Sequence, residues 1–327
     1  MATLTANTQL TLVELAKRTH NARLLTIAEN LSEVNEFLTD ATWAEANDLT
    51  RNVITQRITL PTGSVRQLNA GVSAEVSQTR QVEDDIMMLE SYSKVDAELV
   101  RRAPDSRGFR MNEDMAFVQG MGQTAVGKCF YGNNITSPEE IHGLSNRYNA
   151  IADANVISEG GSSGTNESSI WLVKWSTNDG VYMFYPRGSK TGGINARDLG
   201  EDTVLDGSSL EYQAFRTHFK IHFGICVRDT RNVQRIANVE AAAYEASGSH
   251  GFDPSTLVKV KAKMRGNPSG THIYVNEKVK ACMDIDALDK SNGFYTADTI
   301  HGKDITNFRG IPVRHVDQLT EAEATVV

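Results

Sequence analysis

Cysteine is scarce. Cys129, Cys226 and Cys282 are the only thiols in 327 residues. They are too few and too scattered for a disulfide framework, which points to a reducing compartment. No apolar run approaches the roughly 18 residues that a membrane-spanning helix needs, so no membrane association is expected. The first ten residues, Met1–Leu10, have neither a basic start nor an apolar core, so no secretory signal is expected. An excess of basic charge is also missing: the formal net charge is -8. That sign argues against a broad basic face gripping nucleic acid. Proline is sparse as well, at 7 residues against 25 glycines, and this excludes a collagen-like or Pro-rich disordered chain. The remaining composition, 40% hydrophobic and 23% charged, is that of an ordinary globular protein. A chain of this length buries about three quarters of its unfolded surface.

Residues 1–20 carry no sustained period and read as an arm. Leu24, Ile27, Leu31, Val34 and Leu38 then recur at helical spacing, with Glu29, Glu33 and Glu36 off the stripe. So narrow a stripe suits a helix lying on a neighbour. Residues 51–80 read as a long hairpin around Pro61–Gly63, with few large apolar residues on the return from Ser64 to Arg80. A hairpin with so little to bury must lie on something else.

Helical texture is expected again from about Gln81, through Val82, Ile86 and Leu89, and then from Met115 to Cys129. Gly120, Gly122 and Gly127 in that second stretch suggest close packing against another backbone, since each costs about 1 kcal/mol in a helix relative to Ala. Residues 158–169 form a flexible Gly/Ser loop. Strands are expected at Ile170–Trp175, Val181–Tyr185, Gln213–Phe223 and Ile225–Asp229, the first two joined as a hairpin through Asp179-Gly180. Asp253-Pro254 starts a helix that Gly266 stops, Thr271–Val275 is a strand, and Asn276 caps a helix to about Leu288. Separated α and β blocks make the fold α+β.

Four motifs imitate chemistry. Gly122–Cys129 fits the phosphate loop G-x-x-x-x-G-K-[ST] except at its last position. There a thiol replaces the hydroxyl that binds magnesium, and the preceding residues read as helix, not strand. Gly160–Gly164 matches G-x-S-x-G but is followed by a strand where a nucleophile elbow needs a helix. His218, His222 and Cys226 share a strand face at spacings of four, without an obvious fourth zinc ligand. Asp284 and Asp286 begin like a calcium loop, but Leu288 and Asp289 stand where an oxygen ligand and a glycine are required. No catalytic residue, cofactor or metal site is expected. Two cationic clusters remain, Arg216, Lys220, Arg228, Arg231 and Arg235, then Lys259, Lys261, Lys263 and Arg265. Pairing with another subunit of an acidic chain is the favoured reading.

In their order along the chain, several segments are similar to the major capsid proteins of short-tailed, double-stranded-DNA bacteriophages. They are Leu60–Arg66, Asn69–Gly71, Met88–Glu90, Lys94–Asp96, Phe130–Asn133, Gly143–Tyr148, Tyr185–Ser189, Asp198–Gly200, Arg235–Asn238 and Gly310–Arg314. That family has the shell-forming fold named after phage Hong Kong 97. The resemblance implies an N-terminal arm over 1–44 and an extended-loop hairpin with a following helix over 45–98. It implies a peripheral-domain spine helix within 99–140, at about 112–131, peripheral strands over 141–240, and an axial domain over 241–327. Those strands would precede the axial helices, a reordered threading of the fold. The chain would be no enzyme but a shell protein assembling with copies of itself in hexamers and pentamers, with scaffolding, portal and cement or decoration proteins as partners. It would be made in the bacterial host cytoplasm, reside in the virion, and enclose double-stranded DNA without sequence-specific binding. Inter-subunit contacts are expected from Leu24, Ile27, Leu31, Pro61, Arg66, Arg80, Arg231 and Arg235. The alternatives are an encapsulin-like storage shell of the same fold, and a nucleotide-binding enzyme using Gly122–Cys129, whose ATP binding Lys128→Ala would abolish.

Overall fold

Asn52, Asp84, Arg235 and Glu323 are buried polar residues that the architecture has to satisfy, and the elements in the computed structural model are arranged to do so. The structure describes residues 36–162, 166–189, 192–240, 251–264, 269–288, 295–300 and 303–327, with short strands β1 (Thr19–His20) and β2 (Arg23–Leu24). The contacts divide the chain into two units: 1–33, 88–126 and 193–222 form one, and 34–87, 127–192 and 223–327 the other. The sequence boundaries at 140/141 and 240/241 are therefore not where the contacts divide.

The larger unit is built on a seven-stranded sheet. It contains β7 (Val156–Ser158), β8 (Glu167–Lys174), β12 (Val233–Glu240), β13 (Thr271–Val275), β14 (Tyr295–Ile300), β15 (Lys303–Phe308) and β16 (Ile311–His315). The order is β14-β15-β16-β13-β8-β12-β7. β8 is central and buried along its whole length, because both faces are covered. On one face Ile170, Leu172, Ile236 and Ile273 pack with Leu257 and Val260 of α5 (Pro254–Lys263) and Val279 and Met283 of α6 (Glu277–Leu288). On the other, Trp171 meets Phe130 and Tyr148 at ring distances of 6.0 and 6.3 Å, and Phe130 meets Phe37 of α1 (Phe37–Asp40) at 4.8 Å. Asp253 caps α5 and Asn276 caps α6, as their sequences predict.

The same unit holds β3 (Trp43–Glu45), paired with β9 (Val181–Tyr185), and β9 pairs with residues 224–227 of β11 (Glu211–Val227). The expected Asp-Gly hairpin is thus corrected: β8 and β9 belong to different sheets, linked only by a bridge between Trp175 and Val181. Gly224 does not interrupt β11 either. It permits close approach, since a Cβ there would lie 2.6 Å from the Asp85 carbonyl oxygen and against the Phe184 ring. β4 (Arg51–Thr59) and β5 (Gln78–Asp85) form the predicted long hairpin. Ile54, Val82 and Ile86 at its base pack against Ala46, Tyr182, Phe184 and Cys226.

The smaller unit contains β6 (Met87–Asp96), α2 (Ala97–Arg102) and the first twenty-one residues of α3 (Ser106–Tyr131). It also holds β10 (Asn195–Leu205), paired antiparallel with β11, while β6 pairs with β11. Its core is Val95, Leu99, Val100, Ala103 and Phe109, with Phe117 stacked on Phe219 at 5.8 Å. The helix expected from Gln81 is two strands instead. Val82 and Ile86 are four apart, a spacing that keeps one face in a strand as well as in a helix. Among the described residues, nothing lies within 4 Å of the place a Cβ would occupy at Gly120 and Gly122 of α3, so the expected close packing is not found among them. Gly127 alone of the three lies near a neighbour, 3.3 Å from Gln318 Oε1.

Candidate interaction surfaces

The hairpin ends in residues 60–77, which make no strand and are exposed almost throughout. Leu60, Val65, Leu68 and Val76 are at least 69% exposed, an apolar display with no core beneath it. Pro61 and Arg66 lie in this loop, both exposed. The loop is nonetheless shaped: the Glu75 carboxylate accepts from the Thr62 and Gly63 amides at 2.7 and 3.0 Å, and Asn69 and Gly63 take left-handed φ of 67° and 73°.

The root of the hairpin is fixed by buried polar groups. The Asp84 carboxylate meets Arg147 at 2.7 Å, and Arg147 Nε donates to the His142 carbonyl at 2.8 Å. The Asn52 amide donates to the Tyr182 hydroxyl at 2.8 Å, and Gln56 donates to the carbonyls of Val227 and Arg228. Arg80 holds Gln56 Oε1 with two N–H groups, at 3.1 and 2.9 Å. Burial pushes the Cys226 thiol up to about 12, and likewise the Tyr182 hydroxyl, to about 12.

A second surface lies in the smaller unit. A groove of about 740 Å³ runs along α3 between Arg107 and Gln119, floored by Val100, Phe215 and Phe219. Met111 and Met115 on its wall are 59% and 60% exposed. Arg110 binds Asp198 at 2.8 Å and its guanidinium lies 4.7 Å from the Phe215 ring centre. Burial raises the Asp114 carboxyl, partly offset by the Thr217 hydroxyl bonded to it at 3.1 Å.

Several of the remaining charges are satisfied inside the chain. Arg235 is expected from the sequence to meet a neighbour, but its side chain is 2% exposed, pairs with Glu323 at 2.8 Å, and donates to the Tyr148 carbonyl at 2.7 Å. A fully buried guanidinium has no face left for another subunit. The Glu323 carboxylate also receives the Tyr131 and Ser169 hydroxyls. Asn238 brackets Val326, donating to its carbonyl at 2.9 Å and accepting from its amide at 2.8 Å. Arg231, half exposed, folds back onto Asp229 at 2.8 Å, and Arg228 donates to the Thr177 carbonyl. Leu24 lies in β2, while Ile27 and Leu31 lie outside the described residues.

None of the imitation motifs is built as chemistry. Gly122–Cys129 is helical throughout, with Lys128 paired to Glu140, so no loop exists to cradle a phosphate. Ser162 precedes strand β8, not a helix. His218 and His222 share a half-buried face, but four residues of strand separate them by about 13 Å, too far for one ion. His218 instead contacts Glu90 at 3.0 Å and stacks on Tyr92 at 4.4 Å. Asp284 and Asp286 sit on α6, and the Thr306 hydroxyl bonds Asp284. Among the described residues, no group of three potential metal ligands comes together, and no helix is long and apolar enough to cross a membrane. Nothing local in the sequence signals the Asp84–Arg147 and Arg235–Glu323 pairs, or the groove: their partners come from distant segments.

Three comparisons bear on this arrangement. A sequence profile of the family described as major capsid protein GP7 matches residues 19–327. No curated protein matches the sequence. A chain in the structure of bacteriophage Epsilon15 is 29% identical, with a TM-score of 0.71 and 99% of each chain covered. Lower likenesses include the capsid of bacteriophage JBD30 (9% identity, TM-score 0.49, 90% of this chain and 96% of that one). Another is an encapsulin from Synechococcus elongatus (11% identity, TM-score 0.46, 71% and 97%).

Proposed function

Given that this chain belongs to the major capsid protein GP7 family, we propose that its shell is held together chiefly by the apolar loop 60–77 of each copy lying on a neighbouring copy. The fold is the Hong Kong 97-like capsid fold, and the protein is a structural subunit of a phage capsid. In this reading the larger unit supplies a rigid body, the hairpin root fixes a direction, and the loop supplies contact area. One observation carries it: Leu60, Val65, Leu68 and Val76 are bare at the end of a hairpin whose base is locked by buried polar bonds. Exposed side chains of that size cost solubility unless a partner covers them. A loop from one copy on the body of the next is a heterologous contact, which symmetry repeats until the shell closes.

The copies would be grouped in hexamers and pentamers around double-stranded DNA, with α3 as the spine of a peripheral domain. Scaffolding, portal and cement proteins would join them in the host cytoplasm. A chain of net charge -8 fits a container that must release its genome, because binding strength grows with the number of phosphates neutralised. Expression of the chain, sedimentation velocity and electron microscopy of the fast fraction test the reading. Closed shells or capsomer rings are expected. In Leu68→Asp the same subunit should remain folded and sediment slowly. Undiminished shells from that variant would remove the loop from the assembly contact.

A further inference from the structure

The open face of α3 is self-complementary, and we infer that it packs antiparallel against the same face of a second copy across a two-fold axis. The inference rests on the capsid reading and adds one contact, separate from the loop 60–77.

Met111, Met115, Val118 and Gly122 recur along α3 at steps of 4, 3 and 4, the spacing of one helix face. The first three are 59%, 60% and 38% exposed. Among the described residues, nothing lies within 4 Å of the place a Cβ would occupy at Gly122. The face thus presents two large knobs, a smaller residue and a socket, in that order. Reversed about the midpoint between Met115 and Val118, the order matches itself. Met111 of one copy then falls on Gly122 of the other, and Met115 falls on Val118. Each methionine meets a smaller residue, as knobs meet holes in paired helices. A two-fold contact requires this reciprocity, in which residue i touches j while j touches i. A parallel pairing would instead set methionine on methionine and leave both sockets empty.

Charge selects the same occupant. A surface that meets its own copy must keep like charges apart, and none of the four residues is charged. The two acids in this stretch lie off the face. Asp114 accepts the Thr217 hydroxyl at 3.1 Å, and Glu113, two positions after Met111, is about 200° round the helix from it. Asn112 and Gln119 flank the face on one side and oppose each other across the axis, where their amides can pair. The area sets the role of the contact. Three part-exposed side chains per copy cover far less than the roughly 800 Å² per partner of a stable interface. The contact is therefore one of several in a shell, and isolating it takes a covalent trap.

Disulfide trapping tests the register. Met115→Cys chains are mixed with Val118→Cys chains and oxidised whole, while Met111→Cys chains are oxidised alone. Cys129, Cys226 and Cys282 are buried, so the background is low. The mixture should give unlike-chain dimers at least tenfold above the Met111→Cys control, whose thiols are offset by about 16 Å along the helices in this register. Gly122→Leu fills the socket. It should melt no lower than the parent, yet lower the assembled fraction tenfold or more. No dimer in the mixture, equal trapping by Met111→Cys alone, or undiminished assembly of a folded Gly122→Leu each overturns the inference. Sedimentation of the unsubstituted protein reports separately on the capsid reading. Shells without the cross-link leave that reading standing and remove only this contact; cross-linked chains that never sediment as shells keep the contact and count against the capsid reading.

Discussion

Arg235 and Glu323 are the most deeply buried ion pair among the described residues, with side chains 2% and 5% exposed. Removing one member of such a pair leaves an uncompensated charge in a low-dielectric interior, at a cost of about 3–5 kcal/mol. Glu323→Ala is therefore expected to lower the free energy of unfolding by about that much in urea titration. Replacing both residues with apolar ones of similar size should recover most of the loss; an equally unstable double variant would mean that the bonds to Ser169 and Tyr148 matter more than the charge. His272 gives a pH dependence. Burial, aided by Arg314 and opposed by Asp40 and Glu36, holds its pKa below the usual 6.5. Burial and Lys220 lower His222 in the same direction. The unfolded chain then binds protons more readily than the folded one, so stability falls as the pH drops from about 6.5 through the lowered native values. Urea midpoints between pH 8 and pH 5 should show this decline, and His272→Gln should flatten it. An unchanged slope in that variant would assign the effect to other groups.

The glycines distinguish a demand of the element from one of the assembly. Gly224→Ala places a methyl group into the Asp85 carbonyl and the Phe184 ring, and is expected to cost about 1–3 kcal/mol as an overpacked contact. Gly120→Ala and Gly122→Ala meet nothing among the described residues and should each stabilise the subunit by about 0.5–1 kcal/mol. If a neighbouring backbone lies on α3 in the shell, these same variants melt higher yet assemble worse, a split visible by comparing calorimetry with sedimentation. Elements are legible in the sequence where the signals are local. The strands Val181–Tyr185 and Thr271–Val275 have their expected bounds, and Asp253 and Asn276 cap the helices they are expected to cap. Legibility ends where one pattern serves two structures. Val82 and Ile86, four apart, suit a helix and a strand equally, and Asp179-Gly180 marks a turn without saying which sheet each flank joins. The imitation motifs fail as chemistry on context that is readable, since Gly122–Cys129 continues a helical period. The hairpin is legible through its lack of apolar residues, but the Asp84–Arg147 bond at its root joins segments far apart in sequence, which no local pattern reports.

At the scale of the molecule, subunit stability and assembly are separable properties. The apolar loop 60–77 contributes nothing to the cores of either unit, so Leu68→Asp or Val65→Asp should change the unfolding free energy by less than about 0.5 kcal/mol. Shell yield should fall sharply in the same variants. A variant that unfolded and failed to assemble together would place the loop in the subunit's own core. The Arg235–Glu323 pair bears on a different process, the order in which the chain is made. A ribosome delivers Arg235 eighty-eight residues before Glu323. Until that carboxylate emerges, the central sheet would close over a guanidinium held only by neutral groups such as the Tyr148 carbonyl, so the closed sheet is expected to be less stable before residue 323 is in place. A chain stopped at residue 322 is expected to unfold at lower urea than the full chain, and limited proteolysis of the two side by side checks it. The ion pair thereby ties the stability of the central sheet to a residue that is made late.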